Sequence, residues 1–400
     1  MKQHFEIVVV GGGITGLMFA ALLARTRNEA SLGITVLDAA ARPRFSADDD
    51  IALRVSAIAS GSVQLLDSAG AWQRISASRL SPYECMRVWD ENDTPDGAAA
   101  LRFDAAEFAL PQLGFIVENI LLQDALLRQL DATNVELRFA SPISSLTQSG
   151  RQYKVQLKGG ECRVADLVVG ADGSGSFVRH AAAIETRKWR YDQTAFVTHL
   201  RPESQHRATA WQRFLRQGPL GILPLADGRV SVVWSTTPDR ARRALDASDA
   251  ALGTMLTEVS DRVLGELTVA GPRATFPLRA QHAARYVLPG IALIGDAAHA
   301  IHPLAGQGAN LGLQDAAELA AVLDAALQQG LHPGDEPVLR RYERARKGAN
   351  ATMLHFMTGL NRLFATDSRL VGELRSAGMR IFSRSGPLRE RVVKVALGVR

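Results

Sequence analysis

Three short stretches hold the residues best suited to chemistry in this 400-residue chain. In the first, Gly11, Gly13 and Gly16 keep the GxGxxG spacing. The first glycine of such a run makes a tight turn, the second lets backbone approach a pyrophosphate, and the third lets a helix pack close to a strand. Free N–H groups and the helix dipole at that helix start favour negative charge. Asp38 follows about 20 residues later, where an acid can bond a ribose. In the second stretch, Asp172-Gly173 closes an apolar run and leads through serines to Arg179. In the third, Gly295-Asp296 precedes His299, His302, Pro303, Gly306, Gln307, Gly308, Ala309 and Asn310. A glycine-rich loop that opens a helix presents backbone N–H groups to an anion or an electron-rich heterocycle. Asp296, His299 and His302 also have a metal-like spacing, but no further ligand group is nearby, and we expect no metal.

The elements that must position these residues are legible around them. Phe5–Val10 reads as a buried strand, Ile14–Arg27 as a helix and Gly33–Asp38 as a returning strand, together a βαβ unit that does not say which dinucleotide it takes. Ala39–Asp50 reads as a solvated loop, and Ile51–Ile58 leads into a helix ending near Gly70. Within it Arg54 needs either a local carboxylate or a cofactor pyrophosphate. Tyr83–Trp89 reads as a strand, Thr94–Ala100 as a turn, Gly114–Val117 as an extended piece, and Asn119 or Glu118 as the cap of a helix through Leu130. Val135–Ala140 and Tyr153–Leu157 are expected in a small sheet. Val178 stands where a second fingerprint would need its third glycine, so one nucleotide-binding unit is expected. From Trp189 to about Leu278 the pattern is of short extended runs, including a hairpin of Leu220–Leu225 with Val230–Ser235 across Ala226-Asp227-Gly228-Arg229. Trp211, Phe214, Trp234 and Phe276 interleave with these strands, as core or as the cover of a binding cavity. After a buried strand that starts at Ile291 and ends at Asp296, and the loop that follows, a helix carries Leu311, Leu313, Ala316, Leu319, Ala320 and Leu323 on one side.

The length suggests two domains, one of them interrupted, and the 46% hydrophobic and 22% charged content describes a folded soluble protein. No secretory leader and no apolar run of about 18 residues is visible. Cys85 and Cys162 form no CxxC and suit a reducing cytoplasm. The net charge of +5 is uneven: Arg341–Arg400 carries thirteen Lys and Arg against four acids. That end is a solvated helix surface or a patch for an anionic membrane; nucleic acid is the poorer choice, since no binding module accompanies the charge.

The three stretches together resemble the class A flavoprotein aromatic monooxygenases, with the fold of para-hydroxybenzoate hydroxylase. The run His302-Pro303-Leu304-Ala305-Gly306-Gln307-Gly308-Ala309-Asn310-Leu311-Gly312-Leu313-Gln314-Asp315 is similar to that of the ubiquinone-biosynthesis hydroxylases. Asp50–Ile58, the Gln212–Pro224 segment and Asn361–Phe364 extend the likeness along nearly the whole chain. It implies an α/β fold with a Rossmann-like FAD-binding domain (1–75, 101–180 and 280–345), an inserted mainly antiparallel β-sheet substrate domain (76–100 and 181–279) and a basic C-terminal helical segment (346–400). It implies FAD as the dinucleotide, cradled by Gly11, Gly13 and Gly16 and held at its ribose by Asp38. Arg54, Gln123, Asp172, Gly173, Gly295 and Asp296 are implied as further FAD contacts, and Pro303, Gly306, Gln307, Gly308, Ala309 and Asn310 as the loop against the isoalloxazine. No catalytic base is implied; His302 is expected to shape the loop. The implied reaction uses NAD(P)H and O2, through a flavin C4a-hydroperoxide, to hydroxylate a polyprenyl phenol, and water must be kept out. A cytoplasmic protein peripheral to the inner face of the membrane, or part of a quinone-biosynthesis complex, is expected. The alternatives are a prenyl reductase or hydroxylase of another aromatic on the same fold, and a non-catalytic FAD- and lipid-binding subunit.

Overall fold

The apolar run at the N-terminus forms the strand His4–Val10, which lies inside a six-stranded sheet in the computed structural model; the structure describes residues 4–26, 31–301, 306–366 and 369–398. Across the sheet the order is Val287–Leu288, Ile291–Leu293, Leu167–Gly170, His4–Val10, Ser31–Leu37, Glu136–Arg138. The pairs among the last five are parallel. Register puts Val10 beside both Gly170 and Leu37, and Gly170 beside Leu293. Four strands therefore end at one level, so the turns that follow them converge, as expected at the carboxyl edge of a parallel sheet.

The helix Ile14–Ala24 covers one face and is shorter than the sequence suggests; Arg27 lies outside the described residues. It crosses the helix Gln307–Gln328, which starts at Gly306 in the left-handed conformation. Both Gly312 and Gly295 lie against Thr15, where added Cβ atoms would sit 2.4 and 3.0 Å from its Oγ1. Glu136–Arg138 corrects one expectation, for it joins the edge of the parallel sheet, while Gln152–Leu157 pairs with Ile143–Ser149 and Cys162–Ala165 in a separate sheet. A three-residue strand carries too little pattern to reveal its partner.

An eight-stranded, mostly antiparallel sheet stands over the ends of those strands, in the order His299–Ala300, Leu267–Ala283, Thr186–Pro202, Val230–Thr236, Gly218–Pro224, Thr209–Leu215, Cys85–Asp90, Leu101–Asp104. The expected hairpin is present, with Gly228 at φ +84° in its turn. Leu101–Asp104 pairs with Cys85–Asp90 here, although the sequence groups residue 101 onward with the nucleotide-binding part. Thr186–Pro202 and Leu267–Ala283 each run 17 residues, longer than their alternation shows, because register shifts at Arg190/Thr194 and Thr198/Leu200 interrupt it.

Two helices, Pro238–Asp246 and Asp249–Val259, correct the expectation of extended runs only. Their caps were readable: Thr237 accepts from the Arg240 N–H with Pro238 following, and Ser248 accepts from the Ala251 N–H. They bury the outer face of the sheet, where Phe196, Leu220, Ile222, Val232 and Trp234 pack on Ala241, Ala244, Leu252 and Leu256. The C-terminal helices Glu336–Ala365, Arg369–Arg384 and Pro387–Leu397 close the molecule. Phe364 stacks on Phe214 at 3.9 Å, and buried Arg375 pairs with buried Asp90.

Candidate active site

Between the strand ends and the inner face of the large sheet lies a cavity of about 1450 Å³. That is more than the roughly 300–1,000 Å³ of a site for one small ligand, and leaves room for a dinucleotide with a second molecule beside it. Gly11, Gly13, Asp38, Arg54, Gln123, Asp172, Gly173, Asp296, Gly306, Gly308 and Ala309 all stand on its wall. Residues up to 298 positions apart in sequence are brought together there. Gly16, Gly295, Gln307 and Asn310 are not on the wall, and His302 and Pro303 lie outside the described residues.

The three glycines of the first motif do different work. A Cβ on Gly11 (φ +113°) would lie 2.3 Å from the Ala171 carbonyl oxygen, and one on Gly16 only 2.0 Å from that of Gly11. These two are required by backbone packing. Around Gly13, by contrast, nothing comes within 4 Å, so its missing side chain leaves an open cradle at the helix start. Gly12, between them, donates its N–H to Asp38 Oδ2 at 2.6 Å, and Ala40 N–H reaches Oδ1 at 2.7 Å, which fixes the carboxylate at the cavity edge. Gln123 Nε2 donates to the Gly12 carbonyl at 3.2 Å.

The second motif is held from below by Arg179, which is 1% exposed and donates to the Ala297 and Ser174 carbonyls at 2.8 and 2.7 Å. Burial lowers the Arg179 pKa, which Asp172 partly counters. Asp172 Oδ2 accepts the Val178 N–H at 3.1 Å, while its Oδ1 is buried without a hydrogen-bond partner among the described residues. Such an orphaned oxygen is destabilising unless a ligand completes it.

The third motif turns at Gly295 (φ +58°), whose N–H donates to Asp315 Oδ2 at 3.1 Å. Asp315 also accepts from His299 Nε2 at 2.5 Å, Arg346 Nε at 2.8 Å and Asn350 Nδ2 at 3.0 Å. Burial pushes the Asp315 carboxyl up, yet His299, Arg346 and Asn350 outweigh it and keep it below the usual value. His299 is thereby committed to a carboxylate, and among the described residues no group of three His, Cys, Asp or Glu could hold a metal. Asp296 is open to the cavity but ringed by protein; that surround pushes its carboxyl up, against the pull of His299 and Arg54. Arg54 is near enough to act on Asp296 but makes no ion pair among the described residues: its guanidinium lies 6.0 Å from the Phe276 ring centre at the cavity wall. Asn310, in the loop expected against the flavin, turns its side chain to the protein. Its amide accepts the Ala59 N–H at 3.0 Å and donates to the Ala57 carbonyl at 2.9 Å, so it fastens the strand Val55–Ala59 to the helix start.

The remaining wall is the sheet's inner face, where small residues alternate with the bulky outer ones: Ala195, Gly221, Ser231 and Ser235 beside Val197 and Val233. Its far end carries His199 opposite Ser231, with both ring nitrogens and the hydroxyl buried and without a hydrogen-bond partner among the described residues, and burial lowers the His199 pKa. Sequence reading assigned no role to Asp315, or to Gln212 and Gly221 on the cavity wall. Asp315 is in the quoted motif, and only its contacts reveal its task. The loop Ala39–Asp50 is mostly exposed, as expected, and is tied near its end, where Arg229 bonds Asp50 (Nη1 to Oδ2, 3.2 Å) and Arg79 Nη1 donates to the Ala47 carbonyl at 2.9 Å.

The open cradle at Gly13, the fixed Asp38 and the orphaned Asp172 oxygen fit FAD. The chain matches the FAD binding domain family over residues 4–357. It is 37% identical to 3-demethoxyubiquinol 3-hydroxylase of Escherichia coli (strain K12) over 100% of both chains. It is 34% identical to the human mitochondrial ubiquinone biosynthesis monooxygenase COQ6 over 98% of this chain and 90% of that one. The solved structures of p-nitrophenol 4-monooxygenase PnpA from Pseudomonas putida (TM-score 0.78, 19% identity, 100% of both chains) and of PqsL from Pseudomonas aeruginosa (TM-score 0.77, 22%, 94% of this chain and 99% of that one) share the fold. Matched along its whole length at this identity, the chain belongs to the ubiquinone-biosynthesis hydroxylase family of FAD-dependent monooxygenases.

Proposed function

We propose that this protein hydroxylates the aromatic ring of a ubiquinone precursor, with FAD as cofactor and NAD(P)H and O2 as co-substrates. The observation that carries the reading is the convergence of four strand-end turns on one cavity whose opposite wall is a sheet face of small and apolar side chains. Bound FAD supplies reduction by NAD(P)H and the activation of oxygen. This chain supplies the rest. Gly13 and the first turn of its helix hold the pyrophosphate, and Asp38 the adenosine ribose. Asp172, Asp296, Arg54 and Gln123 hold the remainder of the cofactor. The helix start at Gly306, Gly308 and Ala309 lies against the flavin ring, where N–H groups favour negative charge. The sheet excludes water from the reacting centre.

The substrate is a polyprenyl phenol, reached from a membrane. No described helix is long and apolar enough to cross one. Six of the ten large exposed apolar side chains among the described residues (Phe356, Leu363, Leu374, Ile381, Val392 and Val395) lie in the basic C-terminal helices. Apolar exposure joined to positive charge suits peripheral docking on an anionic bilayer from the cytoplasm. Mass spectrometry of quinone precursors in a strain lacking the protein tests the reaction: a prenylated phenol short of one ring oxygen should accumulate, and an unchanged precursor pool would refute it. Flotation with anionic liposomes at low salt tests the docking, which an unbound protein would rule out.

A further inference from the structure

At one position on the sheet wall, neither backbone nor packing accounts for the residue. Gly221 lies inside the strand Gly218–Pro224 without a left-handed dihedral, and a Cβ built on it would come no closer than 3.8 Å, to the Val233 carbonyl oxygen. A Cβ could therefore be carried there by the fold without strain. Glycine inside a strand weakens it and often marks the close approach of a ligand. Here the space left over Gly221 opens into the cavity.

Gln212 pairs with Gly221 in register on the neighbouring strand. It lines the same cavity, and although the residue is 7% exposed its amide atoms are open to that space and make no hydrogen bond among the described residues. An amide that faces a cavity without a protein partner is available to whatever the cavity holds. Val233 and, beyond it, Val197 continue the row, so the polar group stands beside an apolar floor.

We infer that Gln212 and Gly221 form the seat of the substrate's aromatic head, Gln212 bonding the ring oxygens and the space over Gly221 admitting the ring with its substituents. The inference rests on the hydroxylase reading above and adds what selects the head. The amide oxygen accepts from a phenolic O–H, and the amide N–H donates to a hydroxyl or methoxy oxygen. Gln212 is neutral, and no cation stands beside it in the row from Gln212 through Gly221 and Val233 to Val197.

The test uses the FAD-loaded protein and a short-chain prenyl phenol, its methoxy-bearing counterpart and a prenyl benzene lacking ring oxygens. Binding is read from the change in flavin absorbance, and hydrogen peroxide released per NAD(P)H reports coupling. Gln212→Leu should weaken the phenols about tenfold and leave the oxygen-free analogue unchanged, with more peroxide lost. Gly221→Val should reject the methoxy phenol more than the plain one, Gly221→Ala falling between, each with unchanged FAD content and melting temperature. Equal discrimination by Gln212→Leu and wild type, together with wild-type binding of both phenols by Gly221→Val, would overturn the assignment. A wild-type holoprotein that binds no phenol would overturn the hydroxylase reading first, and this seat with it.

Discussion

The two walls of the cavity are built in different ways. The wall of strand ends is backbone: Gly11 and Gly16 allow main chain to approach main chain at distances no side chain would tolerate, and the register of four parallel strands delivers the turns to one place. The sheet wall is side chain. Its strands are spread from residue 85 to residue 300, and the cavity exists because one face carries Ala195, Gly221, Ser231 and Ser235 while the other carries Phe196, Leu220 and Trp234. A wall of backbone is intolerant of change and general in what it holds. A wall of alternating side chains can be rewritten residue by residue, so selectivity belongs there.

Substitutions can break or sharpen that contrast. The largest effect is expected from Gly16→Val, which drives a side chain into the Gly11 carbonyl and should leave no folded protein by circular dichroism; a normally melting variant would contradict the packing account. Asp315→Leu comes next. It strands His299 and Arg346 in the interior and should cost about 3–5 kcal/mol in urea unfolding. Gly13→Val faces open space, so the FAD-free protein should keep its stability to within about 0.5 kcal/mol, while FAD affinity falls at least about tenfold as the cradle fills. Equal FAD affinity would show that the cofactor does not lie there.

The smallest effect is at the seam of the two walls, where His282 pairs in register with His299 and accepts from the Tyr286 hydroxyl at 2.9 Å. Burial, with His299 and Lys347 nearby, lowers the His282 pKa from 6.5 to about 4. Between those values the unfolded chain takes a proton that the folded one refuses, so this contribution to stability is full above pH 6.5 and is lost as pH falls toward about 4. His282→Asn should flatten that part of a melting profile against pH; an unchanged slope would assign it elsewhere.

The backbone wall was readable in the sequence because its demands are local. A glycine spacing, an apolar run and an acid at a strand end each fit within a few residues, and Gly11, Asp38, Asp172 and Asp296 stand together as those signals require. Asn310 shows the limit, for its motif marks the place while its amide turns away to hold Ala57 and Ala59. The sheet wall was mostly hidden. Register shifts blur the alternation of Thr186–Pro202, and the value of Gly221 depends on Gln212 beside it and Val233 behind it, which pairing alone reveals. The helices Pro238–Asp246 and Asp249–Val259 were missed for a lesser reason: the cap residues Thr237 and Ser248 were in view, among strands that drew the reading toward extended chain.

The most direct measurement is isotope incorporation by the purified, FAD-loaded protein given NAD(P)H, a prenyl phenol and ¹⁸O₂. One labelled oxygen on the product ring is the expected result, with oxygen consumed in step with NAD(P)H. Protein that stays colourless after incubation with FAD, or a product whose new oxygen comes from water, would contradict a cavity that joins this cofactor to an aromatic ring.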